Sequence, residues 1–263
     1  MYKYKKILSL TALFTALISI FSLSIVSYAD SYDWYIKRGG NKTPSFPQGA
    51  EELGQYDCFY IDKKAVVDEE KVIYLTFDAG YENGNIKKIL DVLSKNDVSA
   101  AFFVLDNLIY KNPDLIRRMA EDGHLICNHT KNHKDLSEAS KEQIKEDLGA
   151  LEEICQSVSG VEMSKFFRFP RGKYSREALA HLNELGYKTV FWSFAYEDWD
   201  NEKQPGEVAA IKKILENTHN GEIILLHPTS ETNAKIMQRV ITAWKCMGYR
   251  FGTLDELAAR NSV

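Results

Sequence analysis

The strongest constraint on the fold is an alternation of short apolar runs with amphipathic stretches, which begins near Lys71. The apolar runs have the length of buried strands and occupy residues 72–77, 99–105, 124–127, 166–169, 189–194 and 223–226. Strands that are each followed by a helix pair in parallel. About six or seven such units predict an α/β fold, a (β/α) barrel with outer helices that falls slightly short of the usual eight units. An open, doubly wound sheet is the alternative.

Helix boundaries are marked by capping residues and by Gly and Pro. Asn112 and Pro113 begin one helix, and Gly123 follows its end. Ser140 and Gln143 have the spacing of a capping box, which predicts a helix toward residue 158. The sequence lacks a Gly-x-Gly-x-x-Gly motif after the first strand, so it gives no support to a dinucleotide site. Further helices are expected over residues 86–93, 175–186, 207–215 and 234–247.

The amino terminus carries an export signal. Lys3, Lys5 and Lys6 precede an apolar run over residues 7–26, and a small-x-small cleavage pattern follows at residues 27–29. This order predicts that residues 1–29 are a secretory signal peptide. Because the run is about long enough to span a bilayer, an uncleaved N-terminal anchor is the alternative. In both cases the working domain is expected outside the cytoplasm, either secreted or anchored at the outer face of the membrane.

Composition limits the class of protein and the organisation of the exported part. The chain carries a formal net charge of −4, and the leader's lysines make the remainder more acidic still, which disfavours nucleic-acid binding. Four scattered Cys are too few for a disulfide scaffold, and we expect no disulfide. Residues 30–70 hold several Gly and Pro and are expected to form an irregular lead-in. Residues 71–260 are expected to form one domain.

Ionisable side chains follow five of the predicted strands, at the point where each strand ends. In parallel architectures these ends meet at one face, where function collects. Each side chain alone has an ordinary structural interpretation, such as a turn-forming Asp, a surface Arg or a core His. Five such coincidences at one end of a sheet favour a shared pocket instead. The side chains are Asp78, His129 with His133, Arg168 with Arg171, Asp198 and His227.

This set of side chains suits metal-assisted hydrolysis. A divalent ion held by His129 and His133 would lower the pKa of its bound water. Asp78 would then take the proton of that water, and His227 would protonate the leaving group. Asp198 would orient His227 and favour its protonated form.

Five segments of the chain, in order, resemble the motifs of the NodB-homology polysaccharide deacetylases, carbohydrate esterase family four. The segments are residues 76–80, 129–133, 168–172, 198–199 and 225–227. The resemblance implies a distorted (β/α) barrel and hydrolysis of the N-acetyl group of an amino sugar to acetate and a free amine. It further implies a role for each site residue: Asp78 as catalytic base, Arg168 beside it, His227 as catalytic acid, Asp198 as its tuning acid, His129 and His133 as metal ligands, and the backbone N–H of Arg171 as an oxyanion donor.

One position departs from the family pattern. Most members carry a second Asp directly after the base as a metal ligand, and this chain has Ala79 there. The ion would then have two protein ligands, with Asn128 or Asn83 as candidate replacements for the third. Catalytic zinc normally has three protein ligands, so we expect a weakly held divalent ion. Zinc is the first expectation, and manganese, cobalt and magnesium are the alternatives.

Within the family, residues 77–84, 168–172 and 191–193 are similar to the muramic-acid de-N-acetylases, which implies a role in making the muramic δ-lactam of spore-cortex peptidoglycan. Many members carry Tyr where Arg171 stands. Muramic acid bears a lactyl group, which is a free carboxylate once an amidase has removed the stem peptide. Arg pairs with carboxylates through a planar fork of donors, so we expect Arg171 to recognise this group. Trp199 and Tyr81 are also expected to contact the substrate.

The sequence is also compatible with two other functions. One is deacetylation of N-acetylglucosamine in peptidoglycan or in chitin-like polymers. The other is a catalytically inactive glycan-binding module, for which Ala79 is the best argument. The retained Asp78, His129, His133 and His227 argue against an inactive module, which has no need of them.

Overall fold

The computed structural model describes residues 30–261, which fold into eleven short strands and nine α-helices. The strands are β1 (Ser31–Asp33), β2 (Cys58–Phe59), β3 (Val72–Ala79), β4 (Ala101–Val104), β5 (Leu125–Asn128), β6 (Phe166–Phe167), β7 (Lys173–Ser175), β8 (Lys188–Val190), β9 (Phe194–Ala195), β10 (Glu222–Leu226) and β11 (Arg250–Gly252). The helices are α1 (Lys63–Val67), α2 (Asn85–Lys95), α3 (Asp106–Lys111), α4 (Pro113–Glu121), α5 (Lys141–Ser159), α6 (Arg176–Glu184), α7 (Glu207–Leu215), α8 (Glu231–Cys246) and α9 (Leu254–Asn261). Two 3₁₀ segments occupy Ala50–Tyr56 and Pro170–Gly172.

Nine of these strands form one parallel sheet in the order β2-β8-β6-β5-β4-β3-β10-β9, with β11 beside the first half of β3. Strands β8 and β9 lie toward opposite ends of this order, although three residues separate them along the chain. The sheet therefore curls back on itself. Between its two ends, the backbone N–H of Asp62 donates to the Gly221 carbonyl over 2.9 Å. The predicted class is confirmed: a parallel sheet curled into a distorted, partly open barrel with helices outside.

Side-chain alternation along β3 determines which residues face the barrel interior. Ile73, Leu75 and Phe77 belong to a buried apolar cluster shared with α2 and α8 on the outside of the sheet. Val72 and Tyr74 belong to a different buried cluster, which includes side chains of β4, β8 and β10. Because successive side chains of a strand point to opposite faces, Thr76 and Asp78 follow the second series into the barrel. The carboxyl end of β3 thus delivers an acidic side chain to the interior.

Several helix predictions are confirmed. Helix α7 has the predicted bounds, and Ser140 and Gln143 form both hydrogen bonds of a capping box at the start of α5. Helix α4 begins at Pro113 after Asn112, as predicted. Helix α8 begins at Glu231, earlier than predicted, because the Ser230 side chain accepts the Asn233 N–H and caps it there.

The single strand predicted over residues 189–194 is wrong. The structure has β8 and β9 there, separated by residues 191–193. The Phe191 N–H donates to the Phe59 carbonyl of β2, whereas the Ser193 N–H donates to the Ile223 carbonyl of β10. The chain therefore crosses from one end of the sheet to the other within three residues. A continuous strand could not make both connections.

The segment expected to be an irregular lead-in, residues 30–70, contributes β1, β2 and α1. Strand β2 joins the main sheet, and β1 forms an antiparallel pair with β7. The predicted leader, residues 1–29, lies outside the described residues. Within residues 30–261, no helix is long and apolar enough to cross a membrane. All four Cys carry free thiols, and Cys246 is exposed whereas the other three are buried.

Candidate active site

The structure brings the site residues predicted from strand ends together at the carboxyl face of the barrel. Asp78 lies at the end of β3, and His129 and Arg168 directly follow β5 and β6. His227 directly follows β10, and Asp198 lies three residues beyond β9. Asp198, His129 and Arg168 are almost completely buried. Burial strengthens the interactions between these charged and polar groups, because little water is present to screen them.

Arg168 holds Asp78 inside the barrel. Its Nη1 donates to Oδ1 of Asp78 over 2.8 Å, and its Nη2 donates to Oγ1 of Thr76 over 2.9 Å. Its Nε donates to the Val190 carbonyl, and its guanidinium lies 4.1 Å from the Phe103 ring centroid. Burial alone would raise the pKa of Asp78, but the nearby cationic groups outweigh it and lower that pKa. Asp78 is therefore a carboxylate at neutral pH.

His129 and His133 present their rings side by side, with centroids 5.1 Å apart. Nδ1 of His129 lies 2.8 Å from the Arg168 carbonyl, which can only accept a hydrogen bond, so Nδ1 carries the proton. Nε2 is left with a lone pair and lies 3.4 Å from Oδ2 of Asp78. Burial lowers the pKa of His129 to about 4, although Asp78 acts in the opposite direction. Burial also lowers the pKa of His133, whose backbone has a positive φ of 62°.

His227 is held by Asp198. Nδ1 of His227 and Oδ1 of Asp198 are 2.7 Å apart, and the His227 backbone N–H donates to Oδ2 of the same carboxylate over 2.8 Å. Asn233 donates from Nδ2 to Oδ2 of Asp198 and to the His227 carbonyl. Burial lowers the pKa of His227, but the hydrogen bond and charge of Asp198 outweigh it, so the net shift is upward. This arrangement favours the imidazolium and leaves Nε2 of His227 to face the cavity.

The side chains of the site supply only part of the ligand set that a metal ion needs. A hydrogen bond to the Arg168 carbonyl sets the tautomer of His129, as is typical of a metal-ligating His, and the ring of His133 lies beside it. However, no group of three His, Cys, Asp or Glu side chains in residues 30–261 has an arrangement that could hold a metal. Ala79 is completely buried in an apolar cluster and offers no donor atom.

The two residues considered as replacement ligands are engaged elsewhere. Asn128 is fully buried, donates to the Leu148 carbonyl and accepts the Thr130 N–H. Asn83 donates to the Thr229 carbonyl and accepts the Asn85 N–H at the start of α2. Both amides are thus engaged in hydrogen bonds within the protein, and the substitution of either for the missing ligand stays a prediction.

A cavity of about 610 Å³ opens beside these groups. Its lining combines the ionisable residues with aromatic and apolar walls: Asp78, His133, Arg171, Trp192, Ala195, Tyr196, Trp199, Leu225 and His227. Arg171 has a left-handed backbone, with φ 59° and ψ 6°, and Gly172 follows it with φ 71°. A non-glycine residue rarely adopts this conformation, so the turn holds Arg171 in an unfavourable backbone state at the cavity wall.

The two aromatic residues expected to contact substrate lie in different places. Trp199 lines the cavity with 55% of its surface exposed, and its ring centroid lies 5.9 Å from that of His227. Tyr81 does not line this cavity. It is 43% exposed, and its hydroxyl accepts a hydrogen bond from Nδ2 of Asn201.

Sequence reasoning missed several residues that complete the site. Thr76 accepts a hydrogen bond from Arg168, and Asn233 binds Asp198. Tyr196 lines the cavity. Thr76 stands inside the segment already singled out at residues 76–80, so its position could have suggested a role. Asn233 lies in α8, six residues beyond His227, where one polar residue in a helix gives no such signal.

Comparison with known proteins agrees with this geometry. A profile described as "Polysaccharide deacetylase" matches residues 65–190. Peptidoglycan-N-acetylmuramic acid deacetylase PdaA of Bacillus subtilis (strain 168) is 39% identical over 229 residues, which cover 86% of this chain and 85% of that protein. This chain belongs to the polysaccharide deacetylase family. It is therefore a hydrolase of the N-deacetylase type.

A solved structure and a second relative of this polysaccharide deacetylase agree on the fold and the general activity. The solved structure of Bacillus subtilis PdaA, described as a family 4 carbohydrate esterase, has a TM-score of 0.81 and 38% identity, and the match covers 87% of this chain and 97% of that one. A peptidoglycan-N-acetylglucosamine deacetylase of Bacillus cereus is 30% identical over 73% of this chain and 90% of that protein. Deacetylases of this family are generally metal-dependent.

Proposed function

We propose that this deacetylase removes the N-acetyl group from N-acetylmuramic acid residues of peptidoglycan after an amidase has removed the stem peptide. The observation that carries the proposal is Arg171, a cationic side chain at the wall of the cavity that also contains Asp78 and His227. A stripped muramic residue differs from glucosamine by a lactyl carboxylate, which a guanidinium binds through two parallel hydrogen bonds. The name of the B. subtilis relative supports the same substrate.

The proton steps follow from the two ionised groups. Asp78 is a carboxylate, because its pKa is lowered, and accepts a proton from the attacking water. Asp198 raises the pKa of His227 and so favours its imidazolium, which donates its proton to the departing amine nitrogen. The acetyl carbon leaves as acetate, and the sugar keeps a free amine. Arg168 keeps Asp78 ionised and oriented toward the cavity.

The backbone N–H of Arg171 is the proposed donor to the oxyanion of the tetrahedral intermediate. Arg171 lines the same cavity and lies in the turn at Pro170–Gly172. Donors fixed before the reaction stabilise developing charge without further reorganisation.

The proposed cofactor is a weakly held divalent ion, with zinc first among the candidates. His129 and His133 would hold it, since both rings lie beside Asp78 and Nε2 of His129 has a lone pair. When bound, such an ion polarises the amide carbonyl and lowers the pKa of its water.

We also propose a cellular setting. Export or anchoring at the outer face through residues 1–29 would bring the enzyme to its polymer, with a muramoyl-alanine amidase as functional partner. The freed amine can condense with the lactyl carboxyl group, with loss of one water molecule, to give the muramic δ-lactam. Supplying this lactam is the proposed role in spore cortex.

The test uses purified protein with added zinc on peptidoglycan strands that are either intact or pre-treated with an amidase. Mass spectrometry of the digested strands shows which sugar has lost an acetyl group. The proposal predicts acetyl loss from muramic residues of stripped strands alone. Asp78→Asn is the matched inactive control. Loss from muramic residues of intact strands would contradict the requirement for an amidase.

A second candidate is deacetylation of N-acetylglucosamine, which the name of the B. cereus relative favours. The same experiment separates the two functions. Acetyl loss from glucosamine residues, at equal rates in intact and stripped strands, would establish the second function and overturn the first.

A further inference from the structure

The first residues of the described chain reach the wall of the cavity. We call residues 31–38 the strap. It begins with β1, which pairs antiparallel with β7 immediately after Arg171 and Gly172. The strap lies outside the region matched by the family profile, residues 65–190. Its contacts with the site therefore come from a part of the chain beyond the shared core of the family.

The strap donates hydrogen bonds to three carbonyls along one side of the cavity. The Trp34 backbone N–H donates to the Gly172 carbonyl over 2.8 Å, and Trp34 Nε1 donates to the Trp192 carbonyl over 2.9 Å. Nη2 of Arg38 donates to the Ala195 carbonyl over 2.7 Å. Trp192 and Ala195 line the cavity, and Gly172 adjoins Arg171, which also lines it. The strap thus fixes the backbone of one wall at three points.

The turn that carries Arg171 is confined by two indole side chains. A Cβ atom on Gly172 would lie 2.8 Å from Cη2 of Trp192 and 3.0 Å from Cβ of Trp34. The Trp34 ring is itself stacked on Phe191, with centroids 4.7 Å apart and planes 9° apart. Since a left-handed backbone is unfavourable at Arg171, neighbouring groups must hold it. Trp34 and Trp192 are placed to do so.

We propose that Trp34 and Arg38 are positioning residues that determine substrate specificity. Through the strap they hold the Arg171 turn and the wall from Trp192 to Ala195 in the shape that accepts the lactyl carboxylate of a stripped muramic residue. This inference rests on the proposed function. It predicts that damage to the strap weakens recognition of the carboxylate before it affects the chemical step.

The experiment compares two substrates that differ in one charge. The first is amidase-stripped glycan, and the second is the same glycan with its lactyl carboxylates converted to neutral amides. The preference is the ratio of kcat/KM on the first to kcat/KM on the second. Trp34→Phe keeps the stacked ring and loses the Nε1 donor, and Arg38→Met keeps bulk over Phe194 and loses the donor to Ala195.

The matched control is Asn41→Ala. Asn41 follows the strap and donates to the Leu215 and Thr218 carbonyls, neither of which lines the cavity. Thermal unfolding of every variant reports any general loss of stability. This control separates a loss of local order near the amino terminus from an effect on the Arg171 turn.

We expect Trp34→Phe and Arg38→Met each to reduce the preference about fivefold, mainly through a higher KM for the charged strands. Their kcat and unfolding temperature stay near wild type, and Asn41→Ala keeps the full preference. Variants that keep the wild-type preference, or lose kcat equally on both substrates, would overturn the role of the strap alone. A wild-type enzyme without any preference would overturn the proposed function and the role of the strap together.

Discussion

The guanidinium of Arg168 and the carboxylate of Asp78 form an ion pair inside the barrel, with 2.8 Å between Nη1 and Oδ1. The Arg168 side chain is fully buried, and the Asp78 side chain is 10% exposed. Breaking such a pair by removing one partner leaves the other as an uncompensated charge. The pair therefore couples the ionisation of the expected base to the stability of the fold.

Arg168→Met tests this coupling. We expect the free energy of unfolding to fall by about 3 kcal/mol, because Asp78 and the Val190 carbonyl lose their donor inside the barrel. Urea denaturation measures this free energy of unfolding. Deacetylase activity should fall about a hundredfold, because Asp78 is then harder to ionise. Arg239→Met is the control, since its pair with Glu207 is exposed. Equal stability of the two variants would contradict the role of the pair.

Asp198→Asn should change the pH dependence of catalysis. Asp198 raises the pKa of His227, so removing its charge lowers that pKa. The proposed acid then loses its proton at a lower pH, and the alkaline limb of the kcat/KM profile moves to lower pH. The control is Glu197→Gln, a neighbouring exposed residue. An alkaline limb that stays in place in Asp198→Asn would show that another group sets it.

Metal affinity should depend on the two imidazoles. His129→Gln and His133→Gln each remove one proposed ligand, and we expect each to weaken zinc binding about tenfold or more in calorimetric titration. His181→Gln is the matched control, because His181 lies on α6 next to Glu177. Unchanged zinc affinity in both variants would place the metal elsewhere on the chain.

Trp199→Ala tests sugar contact at the cavity rim. The exposed indole beside His227 offers a flat apolar surface for a sugar ring. We expect KM for stripped glycan to rise about fivefold with kcat nearly unchanged, since stacking stabilises the ground state and the transition state alike. Initial rates of acetate release provide both constants. Tyr110→Ala is the control, another exposed aromatic that does not line the cavity. A fall in kcat at constant KM would instead indicate that Trp199 orients His227.

The barrel and the order of the site segments could be predicted because their signals are local. A buried strand is a short apolar run, and a helix shows its period and its caps within a few residues. The break between β8 and β9 has no local signal. Phe191 and Trp192 continue the apolar run from β8, and the crossing becomes visible only through the hydrogen bonds to Phe59 and Ile223.

The remainder of the site depends on contacts between distant parts of the chain. Trp34 and Trp192 are 158 residues apart, and Asn233 binds Asp198 across 35 residues. The left-handed backbone of Arg171 is equally hidden in the sequence, because a non-glycine residue gives no sign of a positive φ. Strand-end chemistry therefore located the ionisable groups and the pairing of Asp198 with His227, whereas the contacts of Trp34 and Asn233 required the structure.

Arg171 is the residue that we propose recognises the lactyl carboxylate. The most direct measurement is kcat/KM of wild type and Arg171→Ala on stripped glycan and on stripped glycan with amidated lactyl groups. We predict that Arg171→Ala loses about tenfold or more on the carboxylate substrate, mainly through KM, and loses little on the amide. Equal losses on both substrates, or none on the carboxylate, would contradict the claim.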